Sequence, residues 1–519
     1  MNVPLTPLRF LDRARVQFGD KIGVIDGDSR WTYRQYADRC HRLANVQRSW
    51  KLPPGSRMAI LCYNTHHLLE TYYGVGLAGN VMLPLNIRLL DQDFQFILND
   101  AQARCLFLHS DFLPTIERIH GQLETVEKFV LLDGDPIDDW LEPQAYERLL
   151  ESASGELALD LLRIDEDAPA ELFYTSGTTD RPKGVVLTHR NLYLHALNAA
   201  LAIGSSENDV QLHTIPLYHV NGWGTPQFLT CVGGTHVMMA KFDPAQVYRL
   251  IPKHAVSTFS LVPTMAVALL NFPDRHNYDV SSVRRILMGG AAATPELVRE
   301  IEEVFDCRCI AGYGLTETSP VLTLAFPKKH LELSDDDRYQ LQATTGYAIP
   351  GAELAIVDEK NRELSWDGQA VGEIVVRGDM VMHGYWRRPR ETQSAISQGW
   401  FHTGDMAVID PNGYVLIVDR KKDIIVSGGE NICSIEIERA VLAHSAVLEC
   451  AVVPVPHKKW GEVAKALVVL KPEQNLSRKA LFQHCRAHLA GFKVPHSIEF
   501  FGEPLPKGGT GKILKRELR

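Results

Sequence analysis

The sequence predicts an α/β protein with a large N-terminal domain of layered α/β subdomains, a small β-barrel-like unit and a small α+β C-terminal domain. Three observations predict this. Short apolar runs alternate with longer amphipathic stretches up to about residue 340, as in parallel sheets covered by helices. Strand signals then follow at close spacing. The last stretch of the chain has an apolar periodicity of its own, which indicates a separate domain.

The N-terminal domain is predicted to span residues 1–418. Its buried parallel strands are predicted from short, continuously apolar runs, because such strands are covered on both faces. These runs are Arg57–Tyr63, Cys105–His109, Phe129–Asp133, Val210–Pro216, His236–Ala240, Thr258–Val262 and Arg285–Met288. Residues Asn191–Ile203 predict an amphipathic helix with Leu194, Leu197 and Leu201 on its apolar face.

The small antiparallel unit is predicted after residue 340. Asn412-Gly413 joins two apolar runs, and Asn-Gly between strands is a strong hairpin signal. The predicted strands are Ala352–Asp358, Gly372–Gly378, Met406–Asp410 and Tyr414–Val418.

Residues 419–423, Asp-Arg-Lys-Lys-Asp, are all charged. Such a run predicts a solvated turn or an interdomain hinge rather than core. The C-terminal domain is predicted at 424–519. Its elements are helices at Ser434–Ala443 and Arg478–Leu489, and strands at Leu448–Val455, Ala464–Leu470 and Ser497–Phe501.

Composition excludes several classes of protein. The 54 basic and 63 acidic residues give a net charge of −9, which argues against nucleic acid as the main partner. The nine cysteines follow no zinc or disulfide pattern, which favours a reducing compartment. The sequence predicts neither a signal peptide nor a transmembrane segment, so we expect a cytoplasmic protein, with a peripheral membrane contact left open.

The most informative segment is Tyr174-Thr-Ser-Gly-Thr-Thr-Asp-Arg-Pro-Lys-Gly184, between a predicted strand and Val185–Thr188. Its hydroxyl and backbone N–H groups can donate to phosphate oxygens, and Lys183 adds a positive charge. It is not the G-x-x-x-x-G-K-[ST] loop of P-loop kinases. The segment predicts a polyphosphate-binding loop, with a flexible surface loop as the alternative.

This segment resembles the signature of the adenylate-forming superfamily, which includes acyl-CoA synthetases, luciferases and the adenylation domains of peptide synthetases. Further segments similar to the motifs of that superfamily follow in order along nearly the whole chain. They are Pro216–Val220, Gly312–Thr318, Gly399–Asp405, Asp419–Asp423, Ser427–Asn431 and Pro504–Ile513. The resemblance implies that ATP activates a carboxylic acid as an acyl-adenylate.

The resemblance also assigns the nucleotide site. It makes Thr175 and Glu317 the residues on the Mg²⁺ side, and a carboxylate is a hard oxygen ligand for that ion. Asp405 would accept the ribose hydroxyls, and Lys512 would bridge the acid and the α-phosphate. The implied ATP or AMP set is Thr175, Ser176, Gly177, Thr178, Thr179, Lys183, Gly290, Ala291, Tyr313, Gly314, Thr316, Glu317, Asp405, Arg420 and Lys512.

Coenzyme A is the implied acyl acceptor. Gly428 and Gly429 would form a bare backbone wall beside the pantetheine. Trp460 resembles the aromatic residue that meets the coenzyme, with a packing anchor as its alternative role. Arg88, Phe492 and Lys493 resemble positions near the nucleotide and phosphates of the coenzyme. In this superfamily the small domain is mobile and rotates between the half-reactions, about a hinge that matches Lys422.

The acyl pocket is implied to be small and apolar. Its residues are His219, Val220, Asn221, Gly222, Val262, Gly314 and Leu315. No acidic counterpart for an α-amino group occurs among them, so a medium-chain, long-chain or similar hydrophobic acid is expected. His219 is assigned to catalysis with Thr175, Glu317 and Lys512, as a gate for the carboxylate or thiol, and a core histidine is the alternative.

Other functions stay open. The acid could be aromatic or short-chain, like methylmercaptopropionate, because Asn86–Leu89 and Tyr218–Trp223 are similar to a branch that includes medium-chain fatty acid, plant-type acyl-activating and methylmercaptopropionate enzymes. The acceptor could be a carrier protein. A catalytically dead nucleotide-binding regulator is the alternative outside enzymes. Homodimers are common in this superfamily, so a second copy of the chain is a further partner that the resemblance suggests.

Asp180 departs from the pattern, since this position is usually Gly in the superfamily. A carboxylate in a triphosphate-binding loop repels the ligand unless it points outward or pairs with Arg181. We therefore expect Asp180→Gly to keep turnover within several-fold of the wild-type value or to raise it, as measured by steady-state kinetics with ATP varied. A large loss of ATP affinity would instead show that the carboxylate supports binding.

Overall fold

The computed structural model describes residues 3–134, 144–156, 160–175, 181–428, 430–507 and 513–519. The chain packs as two compact units. Unit 1 comprises residues 1–353 and 377–401, and unit 2 comprises residues 354–376 and 402–519. Unit 2 therefore includes strands of the predicted barrel-like region as well as the C-terminal region. The predicted boundary at 419–423 concerns which part of the chain moves, and it stays a prediction.

The α-helices of the described residues vary from about two turns to about five turns. They are α1 (Leu8–Gln17), α2 (Tyr33–Ser49), α3 (His66–Leu77), α4 (Asp91–Asp100), α5 (Leu113–Ile119), α6 (Tyr146–Ser152), α7 (His189–Ile203), α8 (Val220–Val232), α9 (Pro244–His254), α10 (Pro263–Leu270), α11 (Pro295–Phe305), α12 (Asp335–Gln342), α13 (Pro389–Ala395), α14 (Ser434–Leu442) and α15 (Arg478–His488).

The strands of the same residues are mostly short. They are β1 (Ile22–Asp26), β2 (Ser29–Thr32), β3 (Arg57–Leu61), β4 (Val81–Pro84), β5 (Ala103–Leu108), β6 (Lys128–Leu131), β7 (Gln144–Ala145), β8 (Pro169–Thr175), β9 (Lys183–Thr188), β10 (Val210–Leu212), β11 (Thr235–Met238), β12 (Thr258–Leu261), β13 (Arg285–Met288), β14 (Arg308–Gly314), β15 (Val321–Leu324), β16 (Tyr347–Ala348), β17 (Glu353–Val357), β18 (Gly372–Arg377), β19 (Gly384–Tyr385), β20 (Ile396–Ser397), β21 (Trp400–Ile409), β22 (Val415–Arg420), β23 (Ile425–Ser427), β24 (Glu430–Ile432), β25 (Val447–His457), β26 (Gly461–Leu470) and β27 (Ser497–Phe501).

Unit 1 contains two large sheets. One has the order β16-β15-β14-β13-β12-β10-β11-β1-β2, and the other has the order β19-β9-β8-β4-β3-β5-β6-β7. The pairings from β11 through β10, β12 and β13 to β14 are parallel, as are those that join β4, β3, β5 and β6. The predicted buried parallel strands are thus confirmed, and their side chains fill the apolar cores of the unit.

Helix α7 is confirmed, but the predicted apolar face is wrong. The side chains of Leu197 and Leu201 are exposed, whereas Ala196, Ala199 and Ala200 are buried. These alanines share a core cluster with residues of α8, because small side chains let two helices approach closely. The helix begins at His189, two residues before the predicted start, because Thr188 and Asn191 cap its first turn reciprocally.

Unit 2 contains β17, β18, β21 and β22 in one five-stranded sheet, and β23 to β27 in another. The predicted Asn412-Gly413 hairpin is confirmed, because β21 and β22 pair antiparallel on either side of it. Gly413 has a φ of 84°, which glycine adopts at little cost. The charged segment 419–423 differs from the expected solvated turn, since Asp419 and Asp423 are buried. Among the described residues, no helix has the length and apolar character needed to cross a bilayer.

Gly346 is a backbone position that tolerates no side chain. Its φ is 84°, and a Cβ there would lie 2.0 Å from the carbonyl carbon of Leu324. We expect Gly346→Ala to lower the free energy of unfolding by more than about 2 kcal/mol, as measured by urea denaturation.

Gly79→Ala is the matched control. Gly79 has a φ of 80°, but nothing lies within 4 Å of the position that a Cβ would take there, so we expect a loss of about 1 kcal/mol from the left-handed backbone alone. Equal losses in the two variants would contradict the steric argument.

Candidate active site

The carboxyl ends of three adjacent parallel strands bring together residues predicted for the nucleotide and for the acyl group. Val262 follows β12, Gly290 and Ala291 follow β13, and Tyr313 lies at the end of β14. A Cβ on Gly290 would lie 3.2 Å from Val262 Cγ1, so these two neighbouring turns touch. In open α/β sheets, ligands bind in crevices outside such strand ends. The structure therefore brings this part of the predicted set together.

One glycine in this region is required by close packing, and a second lies against Trp223. A Cβ on Gly314 would lie 1.8 Å from the carbonyl oxygen of Pro320, so the backbone dictates this residue. A Cβ on Gly289 would lie 3.2 Å from Cη2 of Trp223. Trp223 itself has a φ of 70°, which is rare for a bulky residue and occurs mainly where surrounding structure enforces it. Sequence reasoning did not select Trp223, although it follows directly on the predicted acyl residues.

The predicted phosphate-binding segment begins at the end of strand β8 and ends at the start of strand β9. Strands β8 and β9 pair antiparallel, with Thr175 opposite Lys183. Backbone hydrogen bonds therefore hold together the two strands that flank the segment. Ser176, Gly177, Thr178, Thr179 and Asp180 lie outside the described residues. The guanidinium of Arg181 lies 5.3 Å from the ring centre of Phe96.

A chain of contacts joins the hairpin to Glu317. Strand β19 pairs with β9 and places Tyr385 next to Lys183, whose ammonium lies 5.4 Å from the ring centre. The Tyr385 hydroxyl donates a 3.0 Å hydrogen bond to Glu317 Oε1. The backbone N–H of Met382 donates to the carbonyl of Glu317 at 2.8 Å. Tyr385 was missed from the sequence, although Gly384-Tyr-Trp follows shortly after an apolar strand.

The same contacts suit a magnesium ion. Burial, together with the negative charge of Glu317, raises the pKa of Tyr385, so its hydroxyl remains a donor at neutral pH. The carboxylate of Glu317 is thereby held in one orientation. A carboxylate and the hydroxyl of Thr175 are hard oxygen donors of the type that Mg²⁺ prefers. The residues present therefore fit the ion that the sequence predicts.

The segment before His219 is held by Asn64, which lies two residues before α3, and by Tyr72 of α3. Asn64 donates through its side-chain amide to the carbonyls of His213 and Ile215 and accepts from the backbone N–H of Leu217. Tyr72 donates to the carbonyl of Leu217 at 2.6 Å. These contacts fix the approach to His219, and sequence reasoning missed both residues.

His219 ends this segment at the start of α8. Burial lowers the pKa of His219 to about 4, so the imidazole is neutral at physiological pH. Gly222 follows in the left-handed region, and a Cβ there would lie 2.7 Å from Leu217 Cδ2. Leu315 is partly buried at the end of β14. The side chains of Val220 and Asn221 lie outside the described part of the structure.

In unit 2, Asp405 and Arg420 are cross-strand neighbours on β21 and β22. Arg420 Nε lies 3.2 Å from Asp405 Oδ1, and Asp405 is buried. The backbone just before Asp405 is held by Glu373. The Glu373 carboxylate accepts hydrogen bonds from the N–H of Gly404 at 3.1 Å and from Lys421 at 3.0 Å. The predicted ribose carboxylate thus lies on strand β21, next to a backbone position that Glu373 holds, and Glu373 is a supporting residue that the sequence did not reveal.

Glu373 is ionised in this arrangement. Burial alone would raise the pKa of Glu373, but the hydrogen bonds with Lys421 and His402 outweigh it, so the pKa lies below its ordinary value. The carboxylate therefore stays charged at neutral pH. The Glu373 carboxylate can hold Lys421 of the predicted hinge segment close to the backbone of Gly404.

The buried ends of the predicted hinge segment are tied to the last part of the chain. Asp419 accepts hydrogen bonds from the backbone N–H and the hydroxyl of Ser434, where α14 begins. Lys515 donates to the same hydroxyl at 2.5 Å and pairs with Glu438 at 2.7 Å. Asp423 pairs with Arg519. Lys422, the predicted hinge residue, lies exposed between these anchors.

The residues predicted for coenzyme A fall into separate groups. Gly428 donates its N–H to the carbonyl of Trp460 at 2.8 Å, and a Cβ on Gly428 would lie 2.8 Å from the indole. The Trp460 side chain is 45% exposed, so the structure does not support its alternative role as a packing anchor. Phe492 is exposed and Lys493 pairs with Glu436 at 2.8 Å. Arg88 lies exposed after β4, and Gly429 and Lys512 lie outside the described residues.

The crevice at the parallel strand ends and the pairing of β8 with β9 are typical of a nucleotide-binding α/β enzyme. The sequence profile of the AMP-binding enzyme family matches residues 11–386, and that of the AMP-binding enzyme C-terminal domain matches residues 436–512. The chain therefore belongs to the AMP-binding enzyme family.

Individual relatives agree with this assignment. The chain is 39% identical to a long-chain-fatty-acid–CoA ligase of Thermus thermophilus, over 100% of this chain and 96% of the relative. It is 36% identical to a peroxisomal butyrate–CoA ligase of Arabidopsis thaliana, over 100% and 93%. A crystal structure of an anthranilate CoA ligase with anthranoyl-AMP superposes with a TM-score of 0.89 at 25% identity, over 100% and 97% of the two chains.

The hydrogen bond from Tyr385 to Glu317 predicts a defect in metal-nucleotide binding. A hydrogen bond to a charged group contributes about 1.5–3 kcal/mol, and about 1.4 kcal/mol corresponds to tenfold in affinity. We expect Tyr385→Phe to raise KM for Mg-ATP by about tenfold or more and to shift the dependence of the rate on Mg²⁺ to higher concentration. Both are measured by pyrophosphate release.

Tyr248→Phe is the matched control, because that hydroxyl donates to the carbonyl of Leu269 at 3.2 Å inside another part of the core. It should lower stability and leave the Mg²⁺ dependence unchanged. Wild-type Mg²⁺ and ATP dependences in Tyr385→Phe would rule out the role assigned to Tyr385.

Proposed function

We propose that the protein is an AMP-forming acid–CoA ligase that acts on a medium-chain, long-chain or similar hydrophobic acid. The first half-reaction forms acyl-AMP and pyrophosphate, and the second transfers the acyl group to coenzyme A and releases AMP. The observation that carries the proposal is the convergence of Thr175, Lys183, Tyr385 and Glu317 at one hairpin of unit 1, next to neutral strand-end residues.

In the first half-reaction the protein positions groups and neutralises charge, since the acid itself attacks the α-phosphorus and pyrophosphate leaves. Lys183 and the hairpin would bind the β- and γ-phosphates, and Asp405 would hold the ribose. Lys512 would stabilise the charge that develops between the carboxylate and the α-phosphate. A neutral His219 would allow the acid to approach without forming a competing ion pair.

Magnesium bound to Glu317 and Thr175 would supply positive charge to the phosphate oxygens. The contribution of the chain is to hold these donors. Tyr385 orients the carboxylate of Glu317, and the pairing of β8 with β9 fixes Thr175.

Coenzyme A as the acceptor is supported by Gly428 and Trp460. The exposed indole and the adjacent glycine form a flat, partly apolar surface beside a bare backbone. Such a surface suits the thin, extended pantetheine group. The second half-reaction would bring this surface to the adenylate by rotation about Lys422, and homodimerisation remains compatible with this scheme.

The proposed class of acid rests on the apolar residues in and next to the predicted acyl set. Trp223 packs beside Gly289, while Val262 and Leu315 are partly buried. No described residue of the predicted acyl set carries a charge at neutral pH, since His219 is neutral. A hydrocarbon chain or ring is therefore favoured over an amino acid. The nine free thiols support a reducing, cytoplasmic location.

The test uses the full-length enzyme with ATP, Mg²⁺ and acids from acetate to palmitate, together with benzoates. Pyrophosphate and AMP release are measured with and without coenzyme A. We expect multiple turnovers only with coenzyme A, and a maximum at one medium- or long-chain acid. Lys512→Ala should reduce the first half-reaction by about a hundredfold or more.

Lys507→Ala is the matched control for the loss of a lysine in the same segment, since Lys507 pairs with Glu449. It should retain wild-type turnover. A rate of pyrophosphate release that is the same with and without coenzyme A would favour the carrier-protein alternative. A maximum at benzoates or at a short-chain acid would overturn the choice of acid, and wild-type turnover in Lys512→Ala would remove that residue from the mechanism.

A further inference from the structure

A second cluster of ligand-type side chains lies in unit 1 and is used by none of the steps above. His66 and His67 begin α3, and Glu147 lies in the first turn of α6. Their ligand atoms all lie within 4.8 Å of one another. The imidazoles are 15% and 12% exposed and the carboxylate is 48% exposed, so the cluster is fixed on the protein side and open to solvent.

Both imidazoles face the same carboxylate oxygen. Nε2 of His66 lies 3.9 Å from Glu147 Oε1, and Nε2 of His67 lies 3.4 Å from it. Nδ1 of His66 lies 2.7 Å from Asp26 Oδ2, at the end of β1. When Nδ1–H donates to Asp26, the lone pair of Nε2 points toward an oxygen that also carries lone pairs. Either a second proton on His66 or a cation between the two atoms relieves this repulsion.

The fixed charges around the cluster are mostly negative. Carboxylates are contributed by Asp26, Glu147 and Glu70, and Glu70 is buried beside them. The guanidinium of Arg39 bonds to Glu70 and to both oxygens of Glu147, at 2.6 and 2.9 Å. Three carboxylates and one guanidinium leave a balance of −3 + 1 = −2 when the imidazoles are neutral. A divalent cation matches that balance.

We propose that His66, His67 and Glu147 form a binding site for a divalent transition-metal ion of the Zn²⁺ type. Two imidazoles and one carboxylate suit such an ion, and water would complete its coordination. Asp26 orients His66 through Nδ1, which is the usual second contact of a metal-bound histidine. Arg39 would keep its hydrogen bonds to Glu70 and to Oε2 of Glu147.

The site is a structural clamp. It ties the start of α3 to α6 and, through Asp26, to β1. Helix α3 also carries Tyr72, which holds the segment before His219. The bound ion therefore stabilises a corner of unit 1 that supports the candidate active site, without entering the reaction.

The experiment uses the full-length protein, freed of metal with a chelator and desalted, without nucleotide. Zn²⁺ is titrated in competition with a chromophoric zinc chelator, and thermal unfolding is followed with and without Zn²⁺. We expect one equivalent to bind and the unfolding midpoint to rise by several degrees. His67→Gln should lose that equivalent, and Asp26→Asn should bind about 10–100-fold more weakly.

His488→Gln is the matched control. His444, His484 and His488 also cluster, but nitrogens of His484 and His488 are bonded to backbone carbonyls. This variant should bind Zn²⁺ as the wild type does. Circular dichroism without metal checks that His67→Gln folds. If it does not fold, the absorption spectrum of the Co²⁺-loaded wild type decides, because nitrogen and oxygen ligation gives bands in the visible range.

Binding of less than a small fraction of an equivalent by the wild type would overturn the proposal. So would an equivalent that survives His67→Gln and disappears in His488→Gln, or a Co²⁺ spectrum identical to that of the free aqueous ion.

Discussion

Strand β9 is paired along both edges, with β8 on one side and β19 on the other, and the candidate active site depends on this double pairing. Through β8 it sets Thr175 opposite Lys183. Through β19 it sets Tyr385 beside Lys183 and within hydrogen-bond distance of Glu317. Because backbone hydrogen bonds fix these strands, the proposed phosphate-binding side of the site would be organised before any ligand binds, and such preorganisation is a main source of electrostatic catalysis.

The sequence predicted the layered fold well because buried parallel strands are continuous apolar runs, and the chain contains many of them. Its assignment of the site to the glycine- and hydroxyl-rich segments stays a prediction, although Val262 and Gly290 do lie at neighbouring strand ends. It did not predict Tyr385, whose partner Glu317 is 68 residues away along the chain. Asn64 was missed for the same reason, because the residues it holds are about 150 positions distant.

Two further differences have physical causes. Amphipathic periodicity selected the leucines of α7 as the buried face, but close helix contact favoured alanines, and Leu197 and Leu201 remained outside. Charge alone placed residues 419–423 at the surface, but Asp419 caps the first turn of α14 and Asp423 meets Arg519. A buried carboxylate is acceptable where donors satisfy it. Neither partner can be identified from local sequence.

The division of labour among the strand ends and turns has an evolutionary consequence. The residues proposed for the phosphates lie on β8, β9, β19 and the turn after β14, whereas Trp223, Val262 and the His219 segment belong to other elements. Substitutions on those elements can alter the shape offered to the acid while the hairpin stays intact. Relatives named for butyrate, long-chain fatty acids and anthranilate share this scaffold. Related enzymes could therefore come to accept different acids while the residues proposed to bind the nucleotide stay the same.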